Sequence, residues 1–178
     1  MTIRYFDMFA GIGGFRSGLE AIGGFECVGY CEIDKYAKQA YEAMYDTRGE
    51  LYFDDARKIV SEQLPDFDLL VGGFPCQSFS IARARKGFDD TRGTLFFEIA
   101  RIASVKKPKY IFLENVPGLL NHNQGRTFET ILRTLDGLGY NVCWQVLNIK
   151  NFGLLIKAKT KDGYQVAYPG DSIDTAFS

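Results

Sequence analysis

Histidine and tryptophan each occur once in this 178-residue sequence, and its four cysteines form no cluster. Cys27 and Cys31 make a C-x3-C pair far from His122, while Cys76 and Cys143 stand alone. A structural zinc site needs paired Cys or His at ligand spacing, so no metal is expected. Cys27, Cys31 and Cys143 lie in apolar, strand-like surroundings and are expected to be buried free thiols. No apolar run reaches the ~18 residues of a membrane span. The N-terminus, MTIRYFDMFAG, lacks the basic and apolar regions of a secretory leader, so a cytosolic protein is expected. Neither sign of charge dominates: 21 Lys and Arg oppose 22 Asp and Glu, leaving a net charge of −1. That balance is poor for a protein that coats nucleic acid, so any positive field must be local. Two clusters offer one: Arg83, Arg85, Lys86 and Arg92, and then Lys106, Lys107 and Lys109. The second reads better as a solvated helix end.

What is present is the composition of a globular domain, 46% apolar and 24% charged, long enough to bury a core. Short apolar runs alternate with helical patterns, which predicts an α/β fold with a mostly parallel, doubly wound sheet. Strands are predicted at 3–9, 25–31, 51–53, 68–73, 110–115 and 140–148. Helices are predicted near 14–22, over 34–45 with Asp34 as cap, over 94–105 and near 126–138. The stretch 74–93 has no periodicity but is rich in Ser, Arg and Gly, and loops of that length are usually functional. Lys161-Asp162-Gly163 is a turn between two strand-like runs, a predicted hairpin.

In open α/β sheets ligands bind beyond the carboxyl ends of the strands. The polar and Gly-rich residues gather there: Gly11, Gly13 and Gly14 after the first strand, Glu32 after the second, Asp55 after the third. Pro75 and Cys76 follow the fourth, and Glu114 and Asn115 close the fifth. FAGIGG (9–14) is a tight turn entering a helix, and Glu32, about 18 residues beyond Gly14, is placed to accept ribose hydroxyls. The turn alone is equally a plain helix entry. A nicotinamide-dinucleotide fold is disfavoured, because Arg16 stands where the third glycine of G-x-G-x-x-G belongs. GGFPCQSFS (72–80) is sharper: a cysteine after proline at a strand end, with Glu114 converging on the same crevice, pairs a nucleophile with a proton donor.

Together, DMFAGIGGF (7–15), Glu32, Asp55, GFPCQSFS (73–80), RGTLFFEIARI (92–102) and FLENV (112–116) closely resemble the DNA (cytosine-5)-methyltransferase family, in its order, over roughly 1–153. Phe74-Pro75-Cys76 resembles the bacterial and phage DNA enzymes rather than the tRNA-methylating branch, which usually has Pro-Pro-Cys. The resemblance implies a Rossmann-like fold of the S-adenosylmethionine (AdoMet)-dependent methyltransferase type. It implies a cofactor pocket of Phe9, Ala10, Gly11, Ile12, Gly13, Gly14, Glu32, Ile33, Asp55, Ala56, Pro75 and Leu95, with S-adenosylhomocysteine as product. Cys76 corresponds to the nucleophile, Glu114 to the residue that binds the ring-nitrogen edge, and Asn115 to a residue fixing the nucleophile loop. Double-stranded DNA is the implied substrate, its cytosine flipped out, with Gln77, Ser80, Arg83 and Arg92 on a mobile 77–93 loop that closes on it.

After Asn151-Phe152-Gly153 the family pattern stops. Its Pro-Gln-x-Arg-x-Arg stretch, recognition domain and late motifs do not follow, and 154–178 instead faintly resembles a recognition-region segment of phage-related members. The chain therefore reads as an AdoMet-binding catalytic domain over 1–153 with an atypical tail over 154–178. LLIKAK (154–159) is expected to fill the missing seventh-strand slot beside 110–115 or, as a fragment of the recognition region, to lie away from the sheet. An AdoMet- or DNA-binding remnant, or one subunit awaiting a complementary chain, is the alternative from a different class.

Overall fold

A computed structural model describes residues 2–75, 95–147, 156–160 and 163–167. Cys76, Gln77, Ser80, Arg83 and Arg92, and with them the expected closing loop, lie outside the described residues. The chain divides into two compact units, 1–142 and 143–178.

The first unit holds a five-stranded sheet built from β1 (Ile3–Met8), β2 (Phe25–Cys31), β3 (Leu51–Phe53), β4 (Leu69–Gly73) and β5 (Tyr110–Glu114). Its order is β3-β2-β1-β4-β5, and every pairing is parallel. β1 shows why: Tyr5 and Asp7 point to one face, Phe6 and Met8 to the other, and all four are buried. Burial on both faces is the condition under which parallel strands persist. On one face Tyr5 and Val71 pack with Leu19 of α1 (Gly14–Ile22), and Tyr30 packs with Tyr41 of α2 (Lys35–Met44). On the other, Phe6, Met8 and Leu70 share a core with Phe96, Ile99 and Ile102 of α3 (Leu95–Lys106) and Ile131 and Leu135 of α4 (Arg126–Gly137). Helices thus cover both faces, as the alternating pattern predicts.

Local chemistry explains the joints. Asp34 caps α2, its Oδ1 accepting the N–H groups of Tyr36 and Ala37 at 2.8 Å, a cap whose loss costs about 1 kcal/mol. Gly72 lets β4 lie against β1, because a Cβ there would come within 2.7 Å of the Met8 carbonyl oxygen. Lys106 ends α3 by donating to the Leu64 carbonyl and Asp66, so the second lysine cluster is a helix end. No helix among the described residues is long and apolar enough to cross a membrane.

Three expectations need correction. The sixth strand predicted over 140–148 is not formed in its described part: 140–147 carries no strand, and Val142, Trp144, Val146 and Leu147 are exposed. Apolar alternation makes a strand only where a neighbouring backbone takes its hydrogen bonds, and β5 is laddered to β4 alone among the described residues. For the same reason Cys143 is exposed, whereas Cys31 is buried and Cys27 half-buried. Nor, in its described part 156–160, is the segment expected in the seventh-strand slot laddered to β5. β6 (Ile156–Thr160) pairs antiparallel with β7 (Gly163–Ala167) in a sheet of its own, the hairpin that the Lys161-Asp162-Gly163 turn predicts. A two-residue connection brings this partner within reach at far lower loop-closure cost than a distant strand.

Candidate active site

The strand order reverses between β1 and β4, so the crevice opens beyond their carboxyl ends. After β1 the chain turns sharply: Phe9 has φ 57°, Gly11 56° and Gly13 92°, all left-handed. Phe9 is the costly one, since a non-glycine residue there carries about 1 kcal/mol or more of strain. Its ring packs against the core around Phe6 and Met8, while Ala10 N–H donates to the Cys31 carbonyl at 3.0 Å. These contacts hold the strained turn in place. Gly13 caps α1 without a side chain, which leaves the first N–H groups of that helix to face a ligand.

Glu32, at the end of β2, is nearly buried. Its two carboxylate oxygens accept N–H groups at 2.7 Å from Gly11 on one side and Asp34 on the other. Glu32 therefore ties the Gly-rich turn to the second strand and still has lone pairs to spare, since a carboxylate accepts about four hydrogen bonds. Around it the surface is apolar and open: Ile12 and Ile33 are 60% and 70% exposed, and the space where a Gly11 Cβ would stand is empty. Asp55 caps the short turn Ala56–Lys58, accepting the Arg57 N–H at 3.0 Å and pairing with its guanidinium at 2.7 Å. The hydrogen-bonded Arg57 holds the Asp55 carboxyl down at about 2, so it is ionised at any physiological pH. Ala56 beside it is buried.

Across the crevice, Glu114 ends β5 in register with Gly73, and a Cβ on Gly73 would sit 3.1 Å from the Glu114 Oε2. Asn115 donates its Nδ2 to the Phe74 carbonyl at 2.5 Å and accepts the Val116 N–H at 3.0 Å. The bond pins the backbone one residue before Pro75, with Phe74 buried against Phe96. Leu95 opens α3 half-buried. The structure thus gathers Phe9–Gly14, Glu32, Ile33, Asp55, Ala56, Pro75, Glu114 and Asn115 at the carboxyl ends of the strands.

A buried polar network beneath the turn escaped the sequence reading. Arg16, 4% exposed, reaches Glu20 and Glu50 at 2.7 and 2.8 Å, the Tyr41 hydroxyl at 3.3 Å and the Asp46 carbonyl at 3.0 Å. Tyr41 in turn donates to Asp7 Oδ2 at 3.4 Å. Asp7 is fully buried, and neither its Oδ1 nor the Tyr5 hydroxyl has a partner among the described residues. Burial is the main reason the Asp7 carboxyl is pushed up to about 7, with the negative charges of Glu32 and Glu50 adding to it. The Tyr41 hydrogen bond and Arg16 oppose that rise. A charged residue on the inward face of α1 was the available signal, but its partners lie 25 and 34 residues away.

A parallel sheet of this order, with a glycine-rich turn after its first strand and a carboxylate after its second, is a Rossmann-like architecture, one that methyltransferases share. Solved structures agree on that fold: the Schizosaccharomyces pombe Dnmt2 methyltransferase superimposes with a TM-score of 0.54 at 22% identity, covering 75% of this chain and 40% of that one. A Spodoptera frugiperda DNMT2 variant gives 0.53 at 23%, covering 75% and 41%. The chain belongs to the C-5 cytosine-specific DNA methylase family, whose profile matches residues 3–155. It is 46% identical to the orphan methyltransferase M.SPRI of Bacillus phage SPR over 153 residues, 85% of this chain and 35% of that protein. It is 43% identical to the type II methyltransferase M.HhaI of Haemophilus parahaemolyticus over 169 residues, 95% and 50%. With M.NgoBI of Neisseria gonorrhoeae it shares 52% over 150 residues, 83% and 45%. The chain therefore spans half or less of the length of these relatives.

Proposed function

We propose that this chain carries the cofactor-binding and catalytic portion of a cytoplasmic DNA (cytosine-5)-methyltransferase, with 1–153 as the catalytic domain and 154–178 as a separate tail. The observation that carries the reading is the Glu32 bridge to Gly11, set across one crevice from the Asn115–Phe74 bond beside Glu114. The residues fit AdoMet. Glu32 offers free acceptor capacity to a ribose, exposed Ile12 and Ile33 offer apolar walls, and the open side of Gly11 lets backbone approach a ligand. Asp55 and Ala56, together with Pro75 and Leu95, complete the pocket.

When bound, AdoMet supplies an electrophilic methyl group on a sulfonium. Everything else falls to the protein. Carbon 5 of cytosine is a weak nucleophile, so the Cys76 thiolate adds to carbon 6 and makes the ring enamine-like. Glu114 gives a proton to the ring-nitrogen edge as negative charge develops there. Transfer of the methyl group to carbon 5 would release S-adenosylhomocysteine; a water molecule would then take the carbon 5 proton, and the Cys76 thiolate would be expelled as aromaticity returns. Asn115 serves by positioning: its bond to the Phe74 carbonyl sets the backbone that leads into Pro75 and Cys76. The target base must leave the duplex stack, and Gln77, Ser80, Arg83 and Arg92 are the residues proposed to hold the DNA.

Specific observations favour a second reading, a domain that needs a complementary polypeptide before it turns over. Tyr110 and Phe112 are more than half exposed on β5, which among the described residues is laddered to β4 alone. Tritiated methyl transfer to mixed-sequence duplex DNA, paired with AdoMet calorimetry, separates the two. Transfer supports the full activity, and binding without transfer supports the incomplete domain. Absence of both rejects the proposal.

Glu32→Ala is expected to weaken AdoMet binding by about 1–3 kcal/mol, the scale of losing a charge-assisted hydrogen-bond acceptor. The Gly11 tether is lost with it, so the deficit should lie toward the upper end. An unchanged dissociation constant would move the ribose site elsewhere.

A further inference from the structure

Between the Gly-rich turn and the end of α2 lies a contact with no part in the proposed chemistry. The Tyr45 hydroxyl donates to the Gly13 carbonyl at 2.9 Å. Its ring occupies the space where a side chain on Gly13 would stand, since a Cβ there would come within 2.3 Å of the ring carbon Cε2. The Arg16 guanidinium lies over the same ring, 4.7 Å from its centroid, and over Tyr41 at 5.2 Å. Arg16 cannot drift, because Glu20, Glu50, Tyr41 and the Asp46 carbonyl hold it on several sides. Tyr41 and Tyr45 are one helical turn apart, their centroids at 5.0 Å, so the two rings and the cation form one block against the turn.

We propose that Tyr45, locked by Arg16, is a positioning residue for cofactor binding: it sets the Gly13 carbonyl, and through it the turn that Glu32 holds from the other end. The physical case is pre-organisation. Gly11 and Gly13 lie in left-handed backbone where glycine has more freedom than any other residue, and Gly13 has no side chain to fix it. Besides the Ala10–Cys31 backbone bond, two side-chain tethers hold the turn at opposite ends, Glu32 on the Gly11 N–H and Tyr45 on the Gly13 carbonyl. Releasing one leaves a ligand to order the turn at its own cost, which appears as lost affinity. The inference rests on AdoMet being the ligand of this crevice.

The test is calorimetry with AdoMet and with S-adenosylhomocysteine on the whole chain and its variants. Tyr45→Phe keeps the ring and its stacking on Arg16 but removes the hydroxyl. Its dissociation constants are expected to rise about 3- to 10-fold, the range set by one net hydrogen bond. The thermal midpoint should fall by no more than about 2–4 °C, the scale of one net hydrogen bond in a domain of this size. The Gly14 amide nitrogen, bonded to the Gly13 carbonyl carbon, should shift in the NMR spectrum. Tyr45→Leu removes the ring as well and should weaken binding further. Tyr36→Phe, on the exposed side of α2, should change neither constant. A parent chain that binds AdoMet, with Tyr45→Phe binding equally well, overturns the positioning role alone. A lowered midpoint at unchanged affinity overturns it in favour of a purely structural bond. No binding by the parent chain overturns both this role and the reading it rests on.

Discussion

Substituting Cys76 by serine is expected to lower methyl transfer by roughly three orders of magnitude or more, the scale of removing an essential nucleophile. AdoMet affinity should be nearly unchanged. A hydroxyl near its ordinary pKa is almost wholly protonated at neutral pH and is intrinsically a poorer nucleophile than a thiolate, so addition to carbon 6 fails. The pocket proposed for the cofactor depends instead on the turn after β1, on Glu32, on Asp55 and Ala56 after β3, on Pro75, and on Leu95 at the start of α3. Methyl transfer and calorimetry on the same preparation therefore report different parts of the molecule. Turnover retained in the serine variant would remove Cys76 from the mechanism. Affinity lost along with turnover would show that Cys76 shapes the pocket.

The second large effect concerns stability and pH. The Asp7 carboxyl stands at about 7 in the folded chain against 3.8 as the reference value, because burial, with Glu32 and Glu50 nearby, outweighs the opposing Tyr41 hydrogen bond and Arg16. Between those values the folded state holds a proton that the unfolded state has released. Stability from this group is thus fully present below about pH 4 and is lost as the pH rises through about 7. A gap of about three units corresponds to about 4 kcal/mol in total, since each unit is worth about 1.4 kcal/mol. Asp7→Asn keeps the shape of the protonated acid and has nothing to ionise. Its denaturation midpoint should change much less than the parent's between pH 4.5 and 7.5, and near neutrality it should match or exceed the parent. Parallel pH profiles for the two proteins would show that Asp7 does not titrate in this window.

Much of this protein was legible residue by residue. The period-2 and period-3.6 patterns located β1, α1, β2 and α2 to within a residue or so, because each buries a face of its own; the short β3 was also placed, although it stays largely exposed. Asp34 announced its helix, and the gathering of Gly11, Glu32, Pro75 and Glu114 at strand ends located the crevice. In a parallel sheet all carboxyl ends share one side, so this followed from local pattern alone. The same reasoning failed at 140–147, where a strand-like alternation has no ladder, and in the tail, where 156–160 pairs with 163–167. A strand is a property of two backbones, and one sequence segment reports only half of it. Arg16 marks the boundary most clearly. In the sequence it is a departure from a dinucleotide fingerprint; in the fold it joins Glu20, Tyr41, Asp46 and Glu50 and stacks on Tyr45. Those partners come from α1, from α2 and from the loop before β3, and only the packing of α1 beside α2 on one face of the sheet brings them together. Hydrophobic period dictates which side of a helix is buried, but which distant side chains meet a buried charge depends on long-range placement, and that information exists only in the folded chain.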